Sequence, residues 1–265
     1  VCAMFNEKYP EANAQYYRSG TEEVISKIMA EKMTNSLQAD LIMVSDAPTF
    51  ESLKANDLLQ PYDSPELDNI YTEFVDPEHY YYGTSPAAMG IVYNTNLVTE
   101  APTSWLDLLS EDAKANTVMP NPLYSGTAAN ALMELTRAGG LGWDYYQGLY
   151  DNEVMVVNGN GGVINSVAAG ENAYGIVCDS NALAAAASGS PLAFVYPEEG
   201  VPATADPIGI TTATDNLTTA QAFLDFMLSE DVQTLGRELI GKAPIRKGME
   251  NPEGSLAVED RVNLV

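Results

Sequence analysis

An α/β fold built on mostly parallel sheets is what this chain predicts, and three observations carry the expectation. Short apolar runs alternate with stretches of helical periodicity along the whole length. Several runs end in small or polar residues just where a helix opens, as at Ser125-Gly126-Thr127, Asn160-Gly161-Gly162 and Cys178-Asp179-Ser180. At 265 residues the chain also exceeds a typical single domain, which points to two lobes.

The elements follow in order. Val1 to Phe5 reads as the middle of a helix. Ser19-Gly20-Thr21-Glu22 has capping-box spacing and opens a helix through Val24, Ile25, Ile28 and Met29. Ala39 to Val44 is a buried strand that delivers Ser45 and Asp46 at its carboxyl end, the end where open α/β sheets hold ligands. A helix from Pro48 to Leu59 gives way to a Pro- and Asp-rich loop ending in Tyr80-Tyr81-Tyr82-Gly83. Ala87 to Tyr93 is the next strand, closed by Asn94-Thr95-Asn96, and Thr103 to Leu109 is a short capped helix. Val118-Met119 leads to Ser125-Gly126-Thr127 and an Ala-rich helix. Glu153–Val157 and Tyr174–Val177 are strands that precede the two other junctions. Ile208 to Ile210 is a late strand, and helices over Thr218–Leu228 and Val232–Ile240 finish the pattern.

Charge and composition narrow the function. The net charge is -25, a field that repels phosphate backbones and anionic lipid heads, so nucleic acid and membrane surfaces are excluded as partners. Secreted and periplasmic proteins tolerate such a surface. No apolar run approaches the roughly 20 residues that span a bilayer, and no signal-peptide pattern is found. Cys2 and Cys178 are too few for a disulfide scaffold and read as free thiols; His79 alone cannot build a histidine metal site. Catalysis is not expected, because Cys178 is the one plausible nucleophile and its neighbour Asp179 raises rather than lowers a thiol pKa.

The junctions carry the binding chemistry. A helix start exposes unpaired N–H groups and a partial positive charge, so several together hold an anion without lysine or arginine. The helix beginning at Ser125 has no acidic residue in its first turn, nor does the one near Gly161, whereas Glu22 and Glu23 offset the dipole at Ser19. No basic residue lies between Arg137 and Arg237, while Asp179, Glu198, Glu199 and Asp206 all do. Each element alone also reads as plain structure: Ser-Gly-Thr as an N-cap, glycines 159 to 162 as a turn, Asp179 as a cap, Glu198-Glu199 as a solvated loop. Their convergence at strand-to-helix junctions in both lobes selects the binding reading.

Leu58-Leu59-Gln60-Pro61-Tyr62, the run from Ser85 to Thr95, Pro102 to Leu109, Pro120-Asn121-Pro122, Ser125-Gly126-Thr127, Val167 to Glu171 and Tyr196 to Gly200 resemble, in order and spacing, the extracellular solute-binding proteins of ABC importers. The similarity is to their ferric-iron, phosphonate and sugar-phosphate branch. The resemblance implies a type II periplasmic-binding-protein fold, two α/β lobes closing as a hinged clamp. Residues 1–87 and 206–265 would form a discontinuous first lobe and residues 88–205 the second, with crossings near Pro86–Gly90 and Asp206–Ile208. Members normally begin with a strand before the first helix, and this chain starts within that helix. The first strand is thus expected to be absent, or supplied by another chain in a strand-swapped or homo-oligomeric assembly.

The resemblance also implies the cargo and its site. Iron-binding members carry adjacent tyrosines where this chain has Cys178-Asp179-Ser180, so ferric ion is disfavoured, although Tyr80-Tyr81-Tyr82 could supply phenolates from another loop. Ser125, Gly126, Thr127, Gly161 and Gly162 would hold the phosphate-like end of an aminoethylphosphonate-like or sugar-phosphate ligand. Asp179 and Glu198 would take its amine or hydroxyl end, and Ser19, Thr21, Ser45 and Tyr82 would close from the first lobe. The expected partners are a small-molecule ligand and an ABC permease, in an extracytoplasmic setting, with no cofactor and no bound metal. Ferric, thiamine-like or polyamine cargo and a sensing receptor module are the alternatives.

Overall fold

The computed structural model describes residues 1–137, 141–257 and 260. Nine α-helices and eight strands are described, with short 3-10 turns between them: α1 (Cys2–Lys8), α2 (Thr21–Met33), β1 (Leu41–Met43), α3 (Ala47–Ala55), β2 (Leu59–Gln60), β3 (Tyr82–Asn94), β4 (Thr117–Pro120), α4 (Gly126–Leu135), α5 (Gly142–Asp151), β5 (Met155–Val157), α6 (Gly159–Ala169), β6 (Tyr174–Cys178), α7 (Asp179–Ala187), β7 (Leu192–Val195), β8 (Ala203–Thr211), α8 (Leu217–Leu228) and α9 (Glu230–Ile240). The strands line up as β1-β8-β3-β6-β4-β5, with β2 added to β8 and β7 to β3. None of the described helices is long and apolar enough to cross a membrane.

The long strand β3 organises everything else. Its first part, Tyr82 to Ala88, pairs with β8, and its second part, from Met89 onward, pairs with β6 and β7. The register slips between Gly83 and Pro86, where proline has no N–H to give a ladder. Side chains fill the gap: Thr84 Oγ1 donates to the Asp206 carbonyl at 2.8 Å, Ser85 Oγ to the Ala243 carbonyl at 2.9 Å, and Gln233 Nε2 to the Thr84 carbonyl at 3.0 Å. The sheet therefore has a first half (β1, β2, β8 and the start of β3) and a second half (the end of β3 with β4 to β7).

Strand direction corrects one expectation. Only β4–β5 and β4–β6 run parallel among the described pairs; β3 and β8 are antiparallel to every neighbour. A continuous apolar run reports that both faces are covered. It does not report which way the adjacent strand runs, and β3 and β8 traverse the seam in opposite senses.

Alternation along the strands sends side chains to four cores, two per half. Ile208 and Ile210 pack with Phe5, Tyr82 and Leu224 on one face of the first half, while Gly209 between them looks onto Phe50 and Leu59 of the other. In the second half Ile91, Met119 and Ile176 join Trp105 and Tyr145, whereas Val92, Val118 and Val177 join Val163 and Val167. Each such buried side chain contributes roughly 1.5–3 kcal/mol relative to exposure.

The described chain opens on α1, and its first strand is Leu41–Met43. A cavity of about 1080 Å³ lies beside that strand, lined by residues 11–19, by Phe5, Ile28 and Phe223, and by Leu41, Ile42 and Met43 themselves.

Candidate functional site

Five helix amino ends meet where the two halves of the sheet face each other. In the second half, Ser125 caps α4, its Oγ accepting the Ala128 N–H and lying 3.0 Å from Thr127 Oγ1. Asn160, in the first turn of α6, ties three of these ends together. Its Nδ2 donates to Thr127 Oγ1 at 3.2 Å and its Oδ1 accepts the N–H of Cys178, the N-cap of α7, at 3.2 Å. From the first half come Thr21, first residue of α2, and Asp46, the N-cap of α3. A Cβ placed on Gly126 would lie 2.7 Å from Thr21 Oγ1 and 2.9 Å from Asp46 Oδ2. Neither α4 nor α6 has an acidic residue in its first turn, whereas α2 has Glu22 and Glu23. Bare amino ends therefore belong to the second half, and each offers about half a positive charge.

Ser125, Gly126 and Thr127 are all buried here, as is Thr21. Ser45 is half-buried one residue before the α3 cap, and its carbonyl accepts the Thr204 hydroxyl at 3.0 Å. Gly161 and Gly162 fall inside the first turn of α6, which begins at Gly159, two residues earlier than its glycine pair marks. The space over Gly161 is open, while Gly162 packs on Val157.

Other expected residues have different partners from those expected. Tyr82 is 0 % exposed, in the first-half core, and its hydroxyl accepts the Ser64 N–H at 3.1 Å and donates to the Tyr62 carbonyl. Asp179 is 2 % exposed and already engaged: Oδ1 accepts the N–H groups of Ala88 and Ser180, and Oδ2 accepts the Tyr196 hydroxyl at 2.9 Å. Its carboxylate joins α7 to β3. Glu198 is exposed on a loop whose N–H donates to the Thr103 carbonyl at 2.9 Å. Ser19 does not form the expected capping box. Gly20 is the N-cap of α2, so Ser19 sits one residue outside the helix and its hydroxyl donates to Glu23.

Asp46 and Asn160, which the sequence places at strand-to-helix junctions without giving them a role, belong to the site, and Tyr124 was not singled out at all. Tyr124 is set against Gly20 by the fold, with a Cβ there only 2.6 Å from the Tyr124 carbonyl oxygen. A base also lies close by. Lys242, just after α9, pairs with Asp206; burial alone would lower its pKa, yet that carboxylate leaves it above the ordinary lysine value.

Nucleophile chemistry has little footing here. Burial, with the Asp179 and Asp206 charges nearby, pushes the Cys178 thiol up to about 12, far from the thiolate range of reactive cysteines. Both cysteines are free thiols. Two of the three adjacent tyrosines have their hydroxyls bonded within the fold, Tyr81 to Glu51 and Tyr82 to Tyr62, and Tyr80 stacks under the Lys54 ammonium. Among the described residues no group of three or more His, Cys, Asp or Glu could hold a metal ion.

The family of bacterial extracellular solute-binding proteins matches residues 37–260. This chain belongs to it. The solute-binding chain is 24 % identical over 238 residues to a probable ABC transporter periplasmic-binding protein, y4fP, of Sinorhizobium fredii. It covers 65–69 % of the length of the curated relatives it matches, and those matches cover 86–87 % of it. Among solved structures it superposes on the periplasmic binding protein AfuA of Actinobacillus pleuropneumoniae, with fructose-6-phosphate bound, at a TM-score of 0.89 and 24 % identity, covering 100 % of this chain and 86 % of that one. Iron-bound HitA of Pseudomonas aeruginosa gives 0.83 at 19 % identity, over 98 % and 86 %. The solute-binding chain therefore has the type II periplasmic-binding-protein fold.

Proposed function

We propose that this protein captures a small organic solute bearing a phosphate or phosphonate group and presents it to an ABC permease outside the cytoplasm. The observation that carries the reading is the meeting of α4 and α6 through Thr127 and Asn160, with no acidic residue in the first turn of either helix. Two amino ends with no acid in their own first turns, hydroxyls at Ser125 and Thr127 and a side-chain amide form a donor set suited to a tetrahedral oxyanion. The fructose-6-phosphate bound by AfuA, which has the same fold, and the ABC-transporter relative in Sinorhizobium fredii support the cargo class and the partner. Hinge closure about β3 and β8 would be the working motion, with residues 1–87 and 206–265 as one lobe and 88–205 as the other.

Within this reading Ser125, Gly126, Thr127 and Gly161 face the oxyanion, and Thr21 and Ser45 close from the first lobe. Asp179 holds α7 to β3 rather than the cargo, because its oxygens are already taken. A strand exchanged between two copies is the assembly that the groove beside β1 would accept; native mass spectrometry would show it as a dimer.

Isothermal titration with fructose-6-phosphate, 2-aminoethylphosphonate and ferric citrate tests the cargo. Binding of a phosphorylated or phosphonylated solute at micromolar affinity or tighter, weakened by Thr127→Val, is the expected result. Binding of ferric citrate alone, or of no phosphate-bearing solute, would falsify the reading.

A further inference from the structure

Asp46 is 7 % exposed and has two separate tasks for its two oxygens. Oδ1 accepts the Thr49 N–H at 2.7 Å and so caps α3. Oδ2 faces Gly126 across the seam, 2.9 Å from where a Cβ on that residue would lie. Gly126 is the first residue of α4, and the first N–H groups of a helix have no partner inside it. A buried carboxylate from the first half of the molecule thus abuts the bare amino end of a ten-residue helix in the second. The attraction there is that of an anion for a helix amino end, the same attraction that a ligand phosphate would use.

A second close approach runs beside it with the roles of the halves exchanged. Gly20, on the first half, would bring a Cβ to 2.6 Å from the Tyr124 carbonyl oxygen and 2.8 Å from its ring. One glycine on each side therefore lets the halves meet at a distance that no other residue permits.

We propose that Asp46 is an internal anion, which holds the solute-free cleft closed and competes with the solute for the amino end of α4. An incoming phosphate must displace it, and a solute with a hydroxyl or amine beside its anionic group offsets that loss by donating to the displaced carboxylate. Asp46 thereby selects against bare inorganic anions and for bifunctional organic ones. The selectivity rests on the function proposed above; the closure does not.

The test reads both. Cleft opening is measured without solute by electron-paramagnetic distance measurement between spin labels on Met33→Cys in α2 and Trp143→Cys in α5, in a Cys2→Ser background; both label sites are exposed. Asp46→Asn keeps the α3 cap, because asparagine caps as well as aspartate, and removes only the charge; Asp46→Ser is the second cap-preserving variant. Both are expected to raise the open population about fivefold, the shift that loss of one such charge–dipole contact produces. Gly126→Ala, which wedges the seam, should lengthen the same distance. Inorganic phosphate, titrated calorimetrically, should bind Asp46→Asn about fivefold tighter than the parent. An unchanged solute-free distance distribution in both Asp46 variants, or weaker phosphate binding by Asp46→Asn, overturns the proposal. If the variants open the cleft yet neither parent nor variant binds any phosphate-bearing compound, the phosphate reading falls and the internal anion stands.

Discussion

The two halves of this molecule bring helix amino ends to the same place in opposite electrostatic states. In the second half, α4 and α6 arrive without an acid in their first turns and are linked by Asn160 to Thr127. In the first half, α2 carries Glu22 and Glu23, and α3 is capped by Asp46. α4 and α6 bring no acid of their own, whereas α2 and α3 are neutralised by their own acids. On the proposed function, the difference gives anion binding to the second half and closure and selectivity to the first.

The largest effect that separates the halves is chemical. Cys178, sealed in the second half with its thiol pushed up to about 12, should react with iodoacetamide at pH 8 about a thousandfold more slowly than an ordinary exposed thiol, while half-buried Cys2 reacts first. The rate at Cys178 should still be climbing with pH at pH 10, because its thiolate fraction grows until the pH passes the raised pKa. Peptide mapping by mass spectrometry checks this, and early alkylation of Cys178 in folded protein would show that α7 opens.

Asp179→Ala comes next. It strips acceptors from the Ala88 and Ser180 N–H groups and from the Tyr196 hydroxyl, inside a buried site, and should cost about 3 kcal/mol in urea unfolding. Lost solute affinity at unchanged stability would instead return Asp179 to the binding surface. Thr127→Val, which keeps shape and removes the hydroxyl, should weaken a phosphate-bearing solute about tenfold, and Ser45→Ala on the first half by less. Equal losses from the two would erase the assignment of the anion to one half. The smallest effect is at Gly161, where the space for a Cβ is open. Gly161→Ala should stabilise α6 by about 0.5 kcal/mol, and any fall in affinity would place the solute directly over that turn.

Local patterning made much of this legible. Ile208 and Ile210 around Gly209, the apolar run through β6, and the Ser-Gly-Thr start of α4 are all decided within a few residues, so strand and helix positions follow from them. The Ser104–Asp107 capping box also forms as its spacing implies. Where the first-turn signal was ambiguous, the boundary moved: α2 begins after Gly20 rather than Ser19, and α6 at Gly159 rather than near Gly161. Tyr82 was misplaced for a related reason. Three adjacent tyrosines look alike in sequence, and only the fold sends Tyr81 and Tyr82 into separate cores.

By itself, the amino-acid order determined the succession of strands and helices, the overall acidity, and the absence of acids from the first turns of α4 and α6. These are properties of short windows, where periodicity and capping act. Only the tertiary structure decided that β3 and β8 run antiparallel to their neighbours, that Asp179 is consumed by Ala88 and Tyr196, and that Asp46 meets Gly126. Those outcomes join residues far apart along the chain, and no local preference encodes them: burial and charge choose the partner once the two halves have come together.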